Sequence, residues 1–181
     1  QRKQVWPSNG SAMPAEGLTL AEDILRFWFE ECKPWHWFRS DRDFDRSVSE
    51  RFRPLAEAAQ EQGLIEWEVS QTSSLALVLL LDQFSRQIWR DQARAFQGDL
   101  RAQRLSHLAL DQHWLEHEPQ KARRQFWLMP LLHAERLETV NKAIPLLERW
   151  VDIPTADVAR RNRDMLIKHG RYPWRDGALG R

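Results

Sequence analysis

Residues 75–89 read LALVLLLDQFSRQIW, and the fold turns on how they are taken. Leu75, Ala76, Leu77, Val78, Leu79, Leu80 and Leu81 would cover every face of a helix, so a helical reading buries the segment all round and obliges its neighbours to wrap it. A strand reading lacks support, because the chain nowhere sustains the period-two alternation of Val, Ile and Thr that marks a half-buried strand. An all-α protein is expected, with a central oily helix from about Leu75 to Phe84 and room to continue to Trp89.

Polarity breaks into this helix abruptly. Asp82 and Arg86 stand four residues apart on one face, and Trp89 follows a turn later, which allows a charge-assisted pair under an aromatic lid. A buried charge left unpaired costs several kcal/mol, so the group must be satisfied by its own members, by other residues or by a ligand. Two readings stay open: an internal salt bridge that fixes helix register, and the polar floor of a pocket that also includes Gln83. Arg90 and Arg94 continue the spacing of Arg86 if the helix persists, giving a one-sided basic stripe able to hold a carboxylate or phosphate.

Working outward, helical spacing and cap residues recur on both sides. A first helix is expected from Thr19, where Thr19 and Glu22 form a capping box, to the Lys33-Pro34 break. A second begins near Asp41 and ends at Gly63 as its C′ residue, with a kink or restart at Pro54. Serines after residue 69 offer caps for the central helix. Asp99 caps a fourth, closed by Glu118-Pro119, and a fifth runs from Pro119 to Pro130. Two more follow, the last from Thr155 to a stop at Gly170. About seven helices joined by short loops predict an antiparallel bundle or a solenoid-like stack of helix pairs.

The bulk composition sets limits. The chain has 181 residues, a length usual for one domain, assigned here to 19–181, with residues 1–18 expected to be a flexible extension and Met13 a candidate natural start. A net charge of +1, from 27 basic and 26 acidic residues, argues against a dedicated nucleic-acid binder. No apolar run is long enough to cross a bilayer, so no membrane partner is expected. Cys32 is the only cysteine, which excludes an intramolecular disulfide and a thiolate zinc cluster and fits a reducing cytoplasm. Arg outnumbers Lys by 22 to 5, and 10 Trp stand against a single Tyr, favouring bidentate and stacking contacts.

Two further blocks set polar residues among apolar ones. In FWLMPLLHAE, residues 126–135, His133 and Glu135 follow an oily run, and a histidine there is either a general base or a satisfied core or capping side chain. In HGRYPWRDGALGR, residues 169–181, Arg171 and Arg175 either clamp an anion or cap helix carbonyls. HWLEH, residues 113–117, matches the H-x-x-E-H of inverted zinc peptidases, but such matches arise readily in a His-rich helix, and neither metal nor cofactor is expected. Cys32, at a helix end, reads as a buried structural thiol. No nucleophile elbow, P-loop or dinucleotide fingerprint occurs.

These blocks, with ILRFWF (24–29) and WFRSDRDFD (37–45), resemble in order the bacterial domain of unknown function numbered 924, over nearly the whole chain from about Leu20. The resemblance implies a tetratricopeptide-like helical fold and no defined activity. Its blocks fall on Trp28, Asp41, Asp45, Asp82, Gln83, Arg86, Arg94, Ala95, Phe96, Pro130, His133, Glu135, Gly170, Arg171, Pro173 and Arg175. Ser85 stands where the family pattern has proline, and Asn162 and Trp174 where it has histidines, which counts against a family-wide histidine catalyst.

The leading expectation is a non-catalytic binding module for a small anionic ligand or an acidic peptide. Asp82, Gln83, Arg86, Arg94, His133, Glu135, Arg171 and Arg175 are its candidate ligand-binding residues, with Asp82, Arg86, His133 and Arg171 near the floor. One alternative is an enzyme using Asp82 and His133 as an acid/base pair, with Arg86 or Arg171 holding substrate charge. The other is a structural protein forming a homodimer through Trp35, Trp37 and Trp150.

Overall fold

The computed structural model describes residues 15–181, in which helices and turns occur and strands do not. The expected extension, 1–18, falls largely outside them, and its last four residues belong to α1 (Ala15–Arg26). Thr19 therefore lies inside the helix, and the Thr19–Glu22 pair does not mark its start. The chain passes directly into a π-helical turn, Phe27–Glu31, where the Cys32 N–H donates to the Phe27 carbonyl at 2.9 Å. The break comes where Lys33-Pro34 predicted it, and Pro34 opens the short α2 (Pro34–Phe38), a position where its missing N–H costs nothing.

α3 (Arg42–Gln60) starts as expected after Asp41, whose carboxylate accepts from the N–H groups of Asp43 and Phe44. The helix does not restart at Pro54. Phe52, Ala56 and Ala59 bury its face on both sides of the proline, which outweighs the roughly 3 kcal/mol that an interior proline costs. At its end Gln62, not Gly63, takes the left-handed C′ position with φ 63°. Gly63 is the next residue, its N–H donating to Ala58 O at 2.8 Å. Glycine is required there by proximity, since a Cβ would stand 2.8 Å from that same oxygen.

The central rod has three parts: α4 (Gln71–Leu79), a π-helical turn (Leu80–Phe84) and α5 (Ser85–Ile88). Ser70 caps it, and every residue from Leu75 to Leu81 is buried, as the all-round apolar pattern demands. α4 packs against α1, and α3 against the π-helical turn and α5. The rod's other neighbours are α6 (Asp99–Asp111) and α7 (Lys121–His133). Asp99 is the first helical residue and Gly98 the cap position. A Cβ on Gly98 would stand 2.6 Å from Leu81 O, so glycine lets the start of α6 lie against the rod.

α7 runs three residues beyond the expected stop at Pro130, because Phe126 to Leu132 are buried on both sides of that proline and hold the helix together. α8 (Leu137–Trp150) and α9 (Ile153–His169) are joined by two residues, so α9 turns back along α8. Asp152, not Thr155, caps α9, accepting from the Thr155 N–H at 2.9 Å, and Gly170 ends the helix with φ 70° as expected. A short α10 (Asp176–Leu179) closes the chain. The fold is all-α, and seven of the helices among the described residues have nine or more residues. None of the described helices is long and apolar enough to cross a membrane.

Candidate functional site

The π-helical turn at Leu80–Phe84 places the polar residues of the rod. A π turn inserts one extra residue, shifting the helix face, and such turns occur often at functional sites. Here it holds Asp82 and Gln83, and the Ser85 hydroxyl donates to the Leu80 carbonyl at 2.8 Å, five residues back. Asp82 is 1% exposed and receives a hydrogen bond from Arg86 Nη1 at 3.2 Å. The i,i+4 pair is thus formed, but Arg86 makes its strongest contact with Asp99, through two parallel bonds of 2.8 and 2.9 Å.

His133, the last residue of α7, comes to the other side of Asp82, its Nδ1 standing 2.9 and 3.0 Å from the two carboxylate oxygens. Burial alone would push the Asp82 carboxyl up, but His133, Arg86 and Arg175 together hold it below the usual carboxylate range. Burial opposes the charge of Arg86 as well, and Asp82 and Asp99 more than offset it. Arg175 extends the cluster, donating to the His133 carbonyl at 2.8 Å and reaching Asp99 at 3.8 Å and Glu135 at 3.6 Å. Its guanidinium lies over Phe96 at 4.5 Å and Tyr172 at 4.9 Å. The aromatic partner of Arg86 is likewise Phe96, at 5.3 Å, and not Trp89 as the spacing suggested.

Two cavities open beside this cluster. One, of about 240 Å³, is lined by Arg39, Ser40, Gln83, Arg86, Gln87 and Arg90 with Trp37, Phe38, Met129 and His133. The other, of about 540 Å³, is mainly apolar, with Met129, Leu132, Pro154 and Val158 in its wall and Phe38, Trp174 and His133 around them. Phe38, Met129 and His133 line both. The His133 side chain is 19% exposed, so its ring is held from behind by the buried Asp82 while it borders both cavities.

Of the eight sequence candidates, Gln83, Arg86 and His133 line a cavity and Asp82 lies directly behind them. The other four line neither. Arg94 donates to Gln60 and lies over Trp89 at 4.2 Å. The basic stripe is not continuous, because α5 ends at Ile88 and Arg90 turns to a bidentate pair with Asp45 at 2.5 and 2.8 Å. Glu135 accepts from Arg181 and from the Tyr172 N–H, which places it beside the C-terminal segment, not the cavities. Arg171 does not belong to the pocket floor: it is exposed and bound to Asp176 at 2.9 Å. For Arg175 the carbonyl-capping alternative is the one observed, at the end of α7.

Sequence reasoning missed Asp99 as the main partner of Arg86, and Arg39 and Gln87 as cavity residues. Gln87 sits one turn beyond Gln83 on the rod, a spacing that could have pointed to it. HWLEH is not helical: His113 has φ 58° and pairs with Glu116, so the two histidines do not share a helix face. Cys32 is buried, and its thiol is pushed up to about 12, mainly by burial. Among the tryptophans considered for dimerisation, Trp35 is exposed, whereas Trp37 donates to the Trp28 carbonyl and packs on Phe126.

Residues 24–181 match the family described as bacterial protein of unknown function (DUF924), and the chain belongs to it. The chain is similar to the solved structure of a protein of unknown function, ATU0120, from Agrobacterium tumefaciens. The two share 33% identity over 90% of this chain and 91% of that one, with a TM-score of 0.83. No curated protein matches the chain. Asn162 and Trp174 both border the larger cavity that His133 lines.

Proposed function

We propose that this member of the family binds a small hydroxylated anion, such as a hydroxy acid, in the cavity bounded by Arg39, Gln83, Arg86, Gln87 and Arg90. The observation that carries the reading is Gln87: its side chain is buried, yet its Oε1 has no hydrogen-bond partner among the described residues. Gln87 lines this cavity, and a buried acceptor left without a donor calls for one from a ligand or water. Arg86 and Arg90 already face Asp99 and Asp45, so the uncompensated charge is that of Arg39, to which no carboxylate is paired among the contacts described. A ligand with a carboxylate for Arg39 and a hydroxyl for Gln87 satisfies both. The buried thiol of Cys32 is in keeping with a reducing cytoplasm.

The test is calorimetric titration with lactate and propionate at matched ionic strength. Lactate is expected to bind more tightly than propionate, Arg39→Ala to remove binding of both, and Gln87→Leu to remove the difference between them. Absence of lactate binding, or equal binding by Arg39→Ala, refutes the reading.

A second reading is favoured by the His133–Asp82 geometry. A buried carboxylate on Nδ1 fixes the tautomer and leaves Nε2 to take a proton from the ligand hydroxyl or from water, as a general base does. In that case His133→Gln abolishes turnover of a hydroxy-acid ester while leaving lactate affinity within about threefold. Loss of affinity and turnover together speaks for binding alone.

A further inference from the structure

We infer that the ligand is amphipathic: a hydroxy acid with an aliphatic chain, its head in the arginine-lined cavity and its chain in the adjoining apolar one. This rests on the anion-binding reading and adds the part of the ligand that gives selectivity. Phe38, Met129 and His133 line both cavities, so the two adjoin at the His133 ring, and a ligand held at Arg39 would reach the larger space by passing beside that ring. That space holds the polar residues Gln125, Asp152, Thr155 and Asn162 too, and the last three are engaged within the fold. Asp152 accepts from the Thr155 N–H at 2.9 Å, from the Thr155 hydroxyl at 2.6 Å and from Lys121 at 3.1 Å, and Asn162 donates to the Leu132 carbonyl at 2.9 Å.

What the wall offers a ligand is therefore chiefly apolar: Met129, Leu132, Pro154 and Val158. Phe38 and Trp174, which also line it, are 65% and 60% exposed, two large aromatic side chains left in water beside an apolar hollow. Contiguous exposed apolar surface of this kind marks a binding site more often than a solvated one. A volume of about 540 Å³ lies within the range of small-molecule sites. The charge at one end selects the orientation. An alkyl chain entering from the other end would place its own methyl group against Arg39 and leave its carboxylate in the apolar cavity, so only the head-to-arginine placement is stable.

The experiment is a calorimetric series of lactate, 2-hydroxyhexanoate and 2-hydroxyoctanoate against the wild type, Val158→Trp, Trp174→Ala and Arg39→Ala. Affinity is expected to rise by up to about fourfold per methylene, the equivalent of about 0.8 kcal/mol each. Val158→Trp fills the apolar cavity and should cancel the gain from chain length while leaving lactate affinity unchanged. Trp174→Ala removes an exposed ring that stacks on Tyr172 at 4.8 Å and should reduce that gain, and Arg39→Ala should remove lactate binding and weaken every longer member of the series. If lactate binds through Arg39 but chain length has no effect, the amphipathic inference is wrong and the anion site stands. If no member binds, the anion site itself is wrong.

Discussion

Arg86 and Asp99 are joined by two parallel hydrogen bonds, of 2.8 and 2.9 Å, although they lie thirteen residues apart and on different helices. That pair ties the central rod to the start of α6. Asp82 then links the same arginine to His133 at the end of α7, and Arg175 links Asp99 to Glu135 in the segment that follows. Arg86 stands between Asp82 and Asp99 and Arg175 between Asp99 and Glu135, so each of these ions has a partner of opposite sign. Geometry of this quality offsets the desolvation that burial imposes, and among the described residues Arg39 is the arginine of the smaller cavity with no carboxylate partner.

Removing Asp82 should expose how much of the cluster it holds. Asp82→Asn keeps the volume but leaves Arg86 and His133 short of a charge, which is expected to cost about 3 kcal/mol near neutral pH. Because the folded-state pKa of Asp82 is depressed, the stability it contributes is present above the unfolded value of about 3.9 and is lost as pH falls through the lower folded value. Urea unfolding of wild type and variant should therefore show a gap that is constant near neutrality and closes in strong acid. Parallel curves down to about pH 2 would show that the carboxylate is not held in its charged form.

The identity of residue 98 is fixed by proximity, not by backbone conformation. Gly98 has φ −86°, which any residue can adopt, but a Cβ would stand 2.6 Å from Leu81 O and 3.0 Å from Leu81 Cδ2. Gly98→Ala must push α6 away from the rod, and overpacking of this kind costs about 1–3 kcal/mol. A melting temperature lower by about 2–4 °C for each kcal/mol is expected. Since Asp99 follows immediately, lactate affinity should fall with it. An unchanged melting temperature would mean that the two elements can separate freely.

Arg101 is buried, and it caps the end of α3 across 42 residues of sequence, donating from Nη1 to Ala59 O at 2.8 Å and to Gly63 O at 2.7 Å. Burial pulls its pKa down, with Glu68 opposing. Arg101→Met keeps much of the bulk but removes both bonds, leaving the Ala59 carbonyl with the Gln62 N–H at 3.3 Å, and a loss of about 2–4 kcal/mol is expected in chemical denaturation. Arg101→Lys should recover only part of it, because a point ammonium cannot reproduce the guanidinium fork. A lysine variant as stable as wild type would reduce the contact to simple charge.

Much of the fold was legible because it rests on periodicity. The oily stretch Leu75–Leu81 demanded a helix buried on every side, and that is where it lies. The prolines were less so: Pro54 and Pro130 looked like breaks, yet both sit within buried helix faces where packing outweighs one missing hydrogen bond. The π-helical turn leaves no mark in the composition, although Gln83 was a candidate from the sequence and Gln87 follows it at a spacing of four. Within the site, Asp82 with Arg86 could be read from a spacing of four. Arg86 with Asp99 and Arg90 with Asp45 could not, being set by how separate helices meet, whereas Asp82 with His133 was paired on residue type alone and not on any spacing. Arg171 misled because its partner, Asp176, lies five residues on, outside any helical register shared with it.

The last prediction concerns Arg175, the innermost residue of the C-terminal segment. Its guanidinium is stacked between Phe96 and Tyr172, at 4.5 and 4.9 Å, and its Nη2 holds the carbonyl of His133 at 2.8 Å. Burial and the neighbouring charge of Arg86 lower its pKa, with Asp99 and Glu135 opposing. Arg175→Lys retains the charge and loses the planar stack, and Phe96→Leu retains apolar bulk and loses the ring. A double-mutant cycle between them should give a coupling of about 1–2 kcal/mol, in the range of a desolvated cation–π contact. Because Arg175 holds the end of α7, Arg175→Lys should also weaken lactate binding, whereas Phe96→Leu should do so less. Additive effects in the cycle would show that the arginine is held by its hydrogen bond to His133 alone, and that the stack contributes only contact area.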